Sequence, residues 1–167
     1  MIINRSTYID QLVRSKGNGL IKIVTGIRRS GKSFLLKKLF RQCLIDDGVK
    51  EDHILIIDME SRKNRAFKDP DYLLDWVDET MKDDSTYYVI IDEVQEVKDF
   101  VEVLSSLAVT DGVDVYVTGS NSRFLSSDVV TEFRGRGDEI HVWPLSFKEF
   151  KSVYEGSEEA AWSEYRM

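Results

Sequence analysis

The sequence predicts an α/β fold built on a mainly parallel sheet of five strands, and two observations carry that prediction. Short apolar runs suited to burial on both faces of a sheet, ILII at 54–57 and YYVII at 87–91 among them, alternate along the chain with segments of helical period. The 167 residues, 42% hydrophobic and 32% charged, also suit one domain with a core of several strands and helices. That composition excludes disordered and collagen-like chains, and Cys43, the single cysteine, excludes a disulfide scaffold. No stretch approaches the ~18 consecutive apolar residues of a membrane span. The N-terminal MIINRSTYIDQ lacks the apolar run and small-residue cleavage site of a secretory signal, so the expected location is cytoplasmic.

Each element follows from its pattern. Residues 6–16 place Tyr8, Ile9, Leu12 and Val13 at helical spacing, with Ser6 as the expected cap. A strand over Leu20–Thr25 runs into a glycine-containing turn, and Leu35, Leu36, Leu39, Phe40 and Cys43 form one face of a helix from Lys32 to about Ile45. A second strand covers His53–Asp58, and a helix over Asp71–Met81 is entered through Pro70. The third strand, Tyr87–Ile91, closes on Asp92–Glu93. Then come a helix at Phe100–Val109, a strand at Val113–Thr118 and a short helix at Asn121–Ser127. The fifth strand, Ile140–Trp143, is stopped by Pro144, and Ser146 caps a helix through Phe147, Phe150 and Tyr154. The final GSEEAAWSEYRM starts a helical pattern with nothing left to pack it. The expected division is therefore a domain over 1–155 and the start of a truncated C-terminal region over 156–167.

The net charge of −7 is unevenly spread. In residues 1–42 ten Lys and Arg stand against Asp10 alone, a balance of +9 that leaves −16 for the remainder. Nucleic-acid binding by the surface as a whole is not supported, because phosphate contacts need a positive face, which leaves a local positive region near the N-terminus as the alternative.

The motif that carries chemistry is GIRRSGKS at 26–33, a G-x-x-x-x-G-K-[ST] pattern between a predicted strand and a predicted helix. Gly26 and Gly31 allow backbone angles that turn consecutive N–H groups inward around a phosphate, and the helix that follows adds the positive end of its dipole. The expected phosphate-binding residues are Gly26, Ile27, Arg28, Arg29, Ser30, Gly31, Lys32, Ser33 and Phe34. Lys32 would reach the β and γ phosphates, and Ser33 would offer its hydroxyl to Mg²⁺. In YYVIIDE at 87–93, Asp92 ends a buried parallel strand and would hold the metal, while Glu93 would orient the attacking water. Beyond the next strand, Ser120 and Asn121 are candidates for contacting the γ-phosphate or that water, although the same residues suit a polar turn and helix cap. Arg123, Arg134 and Arg136 are candidate stabilisers of transition-state charge, set against a reading as solvated turn residues. His53, His141 and Cys43 are isolated and suggest no zinc site. With no N-K-x-D strand end to read guanine, ATP is the expected nucleotide, and the strand spacing fits a three-layer P-loop NTPase fold of sheet order 5-1-4-3-2.

VTGIRRSGKS, VIIDEVQ, VTGSNSRFL and RGRGDEIHVWPLSFKEF together resemble the bacterial and archaeal predicted ATPases of the AAA superfamily, over a stretch from Arg5 to Tyr165. The resemblance implies that Lys32 and Ser33 bind phosphate and Mg²⁺, that Asp92 holds the metal and that Glu93 is the hydrolytic base. It favours Arg136 over Arg134 as the arginine finger, in cis or in trans, and places Arg5 and Tyr8 near the base. Members of that family usually continue through a Gly-Gly segment into a second domain, whereas this chain ends at Met167, so it is read as truncated. The expected function is Mg-dependent ATP hydrolysis coupled to a further domain, a protein partner or a homo-oligomer. The alternatives are an ATP-gated binding module with negligible turnover and a small-molecule kinase.

Overall fold

A computed structural model of the chain describes residues 3–119, 133 and 135–166. The five strands are β1 (Ile21–Thr25), β2 (Ile54–Asp58), β3 (Tyr87–Asp92), β4 (Val113–Thr118) and β5 (Gly137–His141). All pairings are parallel and the order is β2-β3-β4-β1-β5, the predicted order read from the other edge. Parallel neighbours require crossovers, so the helices lie on both faces and make three layers. The helices are α1 (Ser6–Arg14), α2, α3 (Pro70–Thr80), α4 (Phe100–Ala108), α5 (Phe147–Lys151) and α6 (Glu158–Tyr165), where α2 comprises an α-helical Lys32–Phe34, a π-helical Leu35–Phe40 and an α-helical Arg41–Asp46.

Strand alternation sorts the core into two parts. Ile21, Ile23, Val89, Ile91, Val115 and Val117 face one side, where Leu73 and Val77 of α3 and Val103, Leu104 and Leu107 of α4 cover them. Val24, Ile54, Ile90, Tyr116 and Ile140 face the other, against Leu12 of α1 and Leu35, Leu36, Phe40 and Leu44 of α2. Each such side chain contributes roughly 1.5–3 kcal/mol by leaving water. Among the described residues no helix is long and apolar enough to cross a membrane.

The structure corrects several boundaries. Ser6 is the first residue of α1 rather than its cap; Arg5 precedes it in a left-handed conformation (φ 44°) and makes no side-chain cap. His53 belongs to a 3₁₀ turn, Glu51–His53, not to β2. β5 begins at Gly137 and ends at His141 because pairing with β1, from Ile21↔Gly137 to Thr25↔His141, sets its register. As an edge strand it needs no continuous apolar run, so Gly137 and Asp138 gave no sequence signal. α5 stops at Lys151, short of Tyr154, although Ser146 caps it as predicted, in a reciprocal box with Glu149. The last helix does find packing: in α6 Ala161 is buried, the Trp162 ring meets Phe147 of α5 at 4.4 Å, and Tyr165 donates to the Leu145 carbonyl at 2.6 Å. The predicted helix at Asn121–Ser127 lies outside the described residues.

Candidate functional site

The carboxyl ends of β1, β3, β4 and β2 meet at one edge of the sheet, where a crevice forms in parallel α/β folds. After Thr25 the chain turns through the 26–33 loop into α2. Gly26 (φ 140°) and Gly31 (φ 93°) hold backbone angles that L side chains avoid. At Gly26 a Cβ would lie 2.2 Å from the Val142 carbonyl oxygen, so the loop also closes tightly on the end of β5. Ile27, Arg28 and Arg29 are exposed, whereas Ser30 and Lys32 are buried.

Lys32 folds back over the loop, donating from Nζ to the Gly26 carbonyl at 3.0 Å and the Ile27 carbonyl at 2.9 Å. Burial pulls its pKa down, against the opposing pull of the Glu93 and Asp92 charges. Asp92, fully buried, is the hub. Its Oδ1 accepts from the Ser33 hydroxyl at 2.8 Å and from the Thr118 hydroxyl at 2.6 Å. Thr118 in turn accepts the backbone N–H of Glu93 at 2.9 Å. Glu93 is left-handed (φ 58°) and takes a hydrogen bond from the Gln95 amide. A side chain bearing a Cβ reaches that region only at a cost of roughly 1–2 kcal/mol, a strain of the kind found at functional sites.

Among the described residues three buried side-chain oxygens here lack a well-formed hydrogen bond: Ser30 Oγ, Asp92 Oδ2 and Gln95 Oε1. Ser30 Oγ has no partner, and Asp92 Oδ2 is balanced only by the charge of the Lys37 ammonium, 2.7 Å away. Leaving a buried polar atom unsatisfied costs roughly 1–3 kcal/mol. Ser30 Oγ, in the glycine-flanked loop, fits a phosphate, and Asp92, whose other oxygen takes the Ser33 hydroxyl, has the chemistry to hold a divalent cation.

Arg5 lies under the loop. It is 8% exposed and donates through Nη1 to the Ser30 carbonyl at 2.6 Å, through Nη2 to the Trp143 carbonyl at 2.6 Å and through Nε to Glu149 at 3.0 Å. Burial raises the Glu149 pKa, but the hydrogen bonds from Ser146 and Arg5 outweigh it and hold the carboxyl below its ordinary value. Beside this clasp a cleft of about 720 Å³ is lined by Tyr8, Trp143, Pro144 and Val153 among others.

The structure thus brings Lys32, Ser33, Asp92 and Glu93 together and separates Arg136 from them. Arg136 precedes β5, and its carbonyl accepts from Ile21 N at 2.8 Å, at the start of β1. A five-residue strand puts it roughly 16 Å from the loop, on the opposite edge of the sheet. Phe34 is half-exposed at the start of α2. Ser120, Asn121, Arg123 and Arg134 lie outside the described residues. Sequence reasoning passed over Gln95, Lys37 and Asp58, and grouped Thr118 with the polar residues at its strand end while favouring Ser120 and Asn121. The signal for Asp58 was present, since ILIID has the same apolar run closing on an acid that singled out Asp92.

Residues 18–151 match the model of the AAA domain family. The chain belongs to that family. An uncharacterised Haemophilus influenzae protein is 37% identical over 150 residues, covering 89% of this chain and 37% of the relative. MJ1544 of Methanocaldococcus jannaschii is 31% identical over 152 residues, covering 89% and 31%. This AAA domain thus spans about a third of the length of the curated relatives it matches. Among solved structures it is similar to Aeropyrum pernix ORC1 in complex with DNA, with TM-score 0.61 and 11% identity over 98% of this chain and 50% of that one. It is also similar to C. elegans PCH-2, with TM-score 0.57 and 18% identity over 89% and 42%. At these identities the likeness shows the fold, a P-loop α/β domain of AAA type.

Proposed function

We propose that this AAA domain binds Mg-ATP in the crevice and hydrolyses it. The observation that carries the reading is the convergence of Lys32, Ser33, Asp92 and Glu93 on one sheet edge, around a loop whose glycines hold positive φ and whose buried Ser30 Oγ takes no hydrogen bond. Residues 26–34 cradle the phosphates, with Lys32 exchanging its two carbonyl contacts for phosphate oxygens. Ser33 and Asp92 hold the metal, which when bound neutralises the phosphates' charge and polarises them. Tyr8 and Trp143 flank the base in the neighbouring cleft, and Arg5, with each of its three nitrogens hydrogen-bonded within the protein, fixes that cleft to the loop. Glu93 orients water and accepts its proton.

Two observations favour low turnover by a lone protomer, and with it the gated-module reading. Gln95 ties up the Glu93 carboxylate, and Arg136 lies at the far edge of its own sheet. As an arginine finger, Arg136 therefore serves another copy's site. Coupling of the nucleotide state to a further domain or protein partner belongs to the same proposal, as does the division at residue 155.

The test is phosphate release from Mg-ATP per protomer over a wide range of protein concentration. Lys32→Ala is expected to abolish nucleotide binding, and Glu93→Gln to keep binding while cutting turnover by roughly a hundredfold or more. A rate per protomer that rises with concentration and is lost in Arg136→Ala supports the finger in trans. Unchanged ATP affinity in Lys32→Ala sinks the site.

A further inference from the structure

Lys37 belongs to no motif in the sequence, yet its ammonium lies between the carboxylates that close two neighbouring strands. Nζ is 2.8 Å from Asp58 Oδ2 and 2.7 Å from Asp92 Oδ2. Asp58 and Asp92 are register partners in β2 and β3. Lys37 is carried on the π-helical part of α2, four positions after Ser33, so helix geometry presents both to the same strand ends. The two oxygens of Asp92 are divided: Ser33 and Thr118 hydroxyls supply Oδ1, and Lys37 charge stands at Oδ2. A carboxylate with 1% side-chain exposure needs such compensation, while the Lys37 side chain, at 24%, has room to leave it.

We propose that Lys37 is the resident counter-ion of the metal position: it neutralises Asp92 while no metal is bound and passes to Asp58 alone when Mg²⁺ arrives with a nucleotide. The inference rests on reading Ser33 and Asp92 as the metal ligands of a nucleotide site. An ammonium and a divalent cation repel each other, so either one at Asp92 weakens the hold of the other. Free metal would have to displace a cation already paired with a buried carboxylate, whereas metal carried by phosphates brings its own negative charge. Asp58 is the vacating ammonium's next partner, because it already accepts from it at 2.8 Å. Lys37 is thus a positioning residue that acts through Asp92 and makes metal entry conditional on nucleotide.

The experiment is Mn²⁺ binding, followed by electron paramagnetic resonance with and without ADP. Wild type is expected to bind Mn²⁺ only with ADP present. Lys37→Met is expected to bind Mn²⁺ without nucleotide, tighter than wild type by about tenfold or more, and Lys37→Arg to restore the wild-type requirement. Asp58→Asn, which leaves Lys37 only Asp92 to pair with, is expected to weaken Mn²⁺ binding in the presence of ADP, and to do so far less in the Lys37→Met background. Nucleotide-free Mn²⁺ affinity unchanged in Lys37→Met overturns the proposal. Equal weakening by Asp58→Asn in both backgrounds also overturns it, since Asp58 would then be a ligand. Should Lys37→Met fail to fold, unchanged Mn²⁺ binding in Asp58→Asn is the overturning result. Wild type that binds no Mn–ADP at all refutes the nucleotide-site reading, and this inference with it.

Discussion

Replacing Arg5 with Ala tests whether a residue far from every phosphate-loop motif in sequence holds that loop in place. The guanidinium makes two bonds to carbonyls, of Ser30 and Trp143, and one to the Glu149 carboxylate. Its side chain is 6% exposed and that of Glu149 26%, so the ion pair is partly screened and worth about 1 kcal/mol. The two carbonyl bonds, each to a charged donor, add about 1.5 kcal/mol apiece. Arg5→Ala should therefore cost about 4 kcal/mol in urea denaturation and lower Tm by about 10 °C for a domain of this size. Alanine is the right replacement because the left-handed φ of 44° strains it as it strains arginine, whereas glycine would relieve the strain and mask the loss. Arg5→Lys keeps the charge but not the fork, and should recover less than half. A loss below about 1 kcal/mol in Arg5→Ala would refute the clasp.

Gly26→Ala should abolish nucleotide binding and lower stability by at least about 2 kcal/mol, because the new Cβ meets the Val142 carbonyl at 2.2 Å; calorimetric titration and a thermal melt check both. Stability should also depend on pH through His53, which lies between Asp52 (2.7 Å) and Asp83 (3.0 Å) and stacks on Tyr87 at 4.3 Å. Hydrogen bonds to Asp83 and Asp52 raise the His53 pKa above its ordinary 6.5, so that contribution is complete below 6.5 and lost as pH rises through the raised value. The hydrogen bond from His53 lowers Asp83 from 3.8 to about 2, a contribution present above 3.8 and lost as pH falls through about 2. Urea midpoints should peak between those limits, and His53→Gln should flatten the alkaline slope; an unchanged slope would refute the assignment.

The layered sheet and its strand order were legible because buried parallel strands need apolar runs with sharp ends, which ILII and YYVII supply. β5 was misplaced for the converse reason: Gly137 and Asp138 are held by backbone pairing with β1 and carry no apolar side chain, so no pattern marks them. At the site, the meeting of Lys32, Ser33, Asp92 and Glu93 was legible because a G-x-x-x-x-G-K-[ST] loop and an acidic strand end in one parallel sheet bring those positions to the same edge. Arg5 and Tyr8 were indicated near the base by family resemblance alone, and nothing in the spacing announced that Arg5 would clasp Ser30, Trp143 and Glu149. Those contacts span up to 144 positions, so they exist only once the sheet has brought both ends of the chain to the loop. Thr118 was visible as a polar strand end, but its bonds to Asp92 and Glu93 depend on the β3–β4 register, which no local pattern reveals.

Asp92 shows why these late-assembled contacts matter. A fully buried carboxylate carries a desolvation penalty of several kcal/mol, and here it is offset by groups from three different elements: Ser33 and Lys37 of α2, Thr118 of β4 and, through Lys37, Asp58 of β2. No one of them suffices, so the arrangement persists only while α2 and the ends of β2, β3 and β4 keep their registry. The same dependence runs in reverse. Whatever binds Asp92 competes with Ser33, Thr118 and Lys37 for its oxygens, and therefore perturbs α2 and two strand ends together. The backbone N–H of Glu93 rests on the Thr118 hydroxyl, so a change at Asp92 reaches Glu93 through a single shared oxygen. Thr118→Val, which keeps the shape of the side chain and removes that oxygen, is expected to leave ATP affinity near wild type in calorimetric titration while lowering phosphate release, and equal losses in both would refute the link.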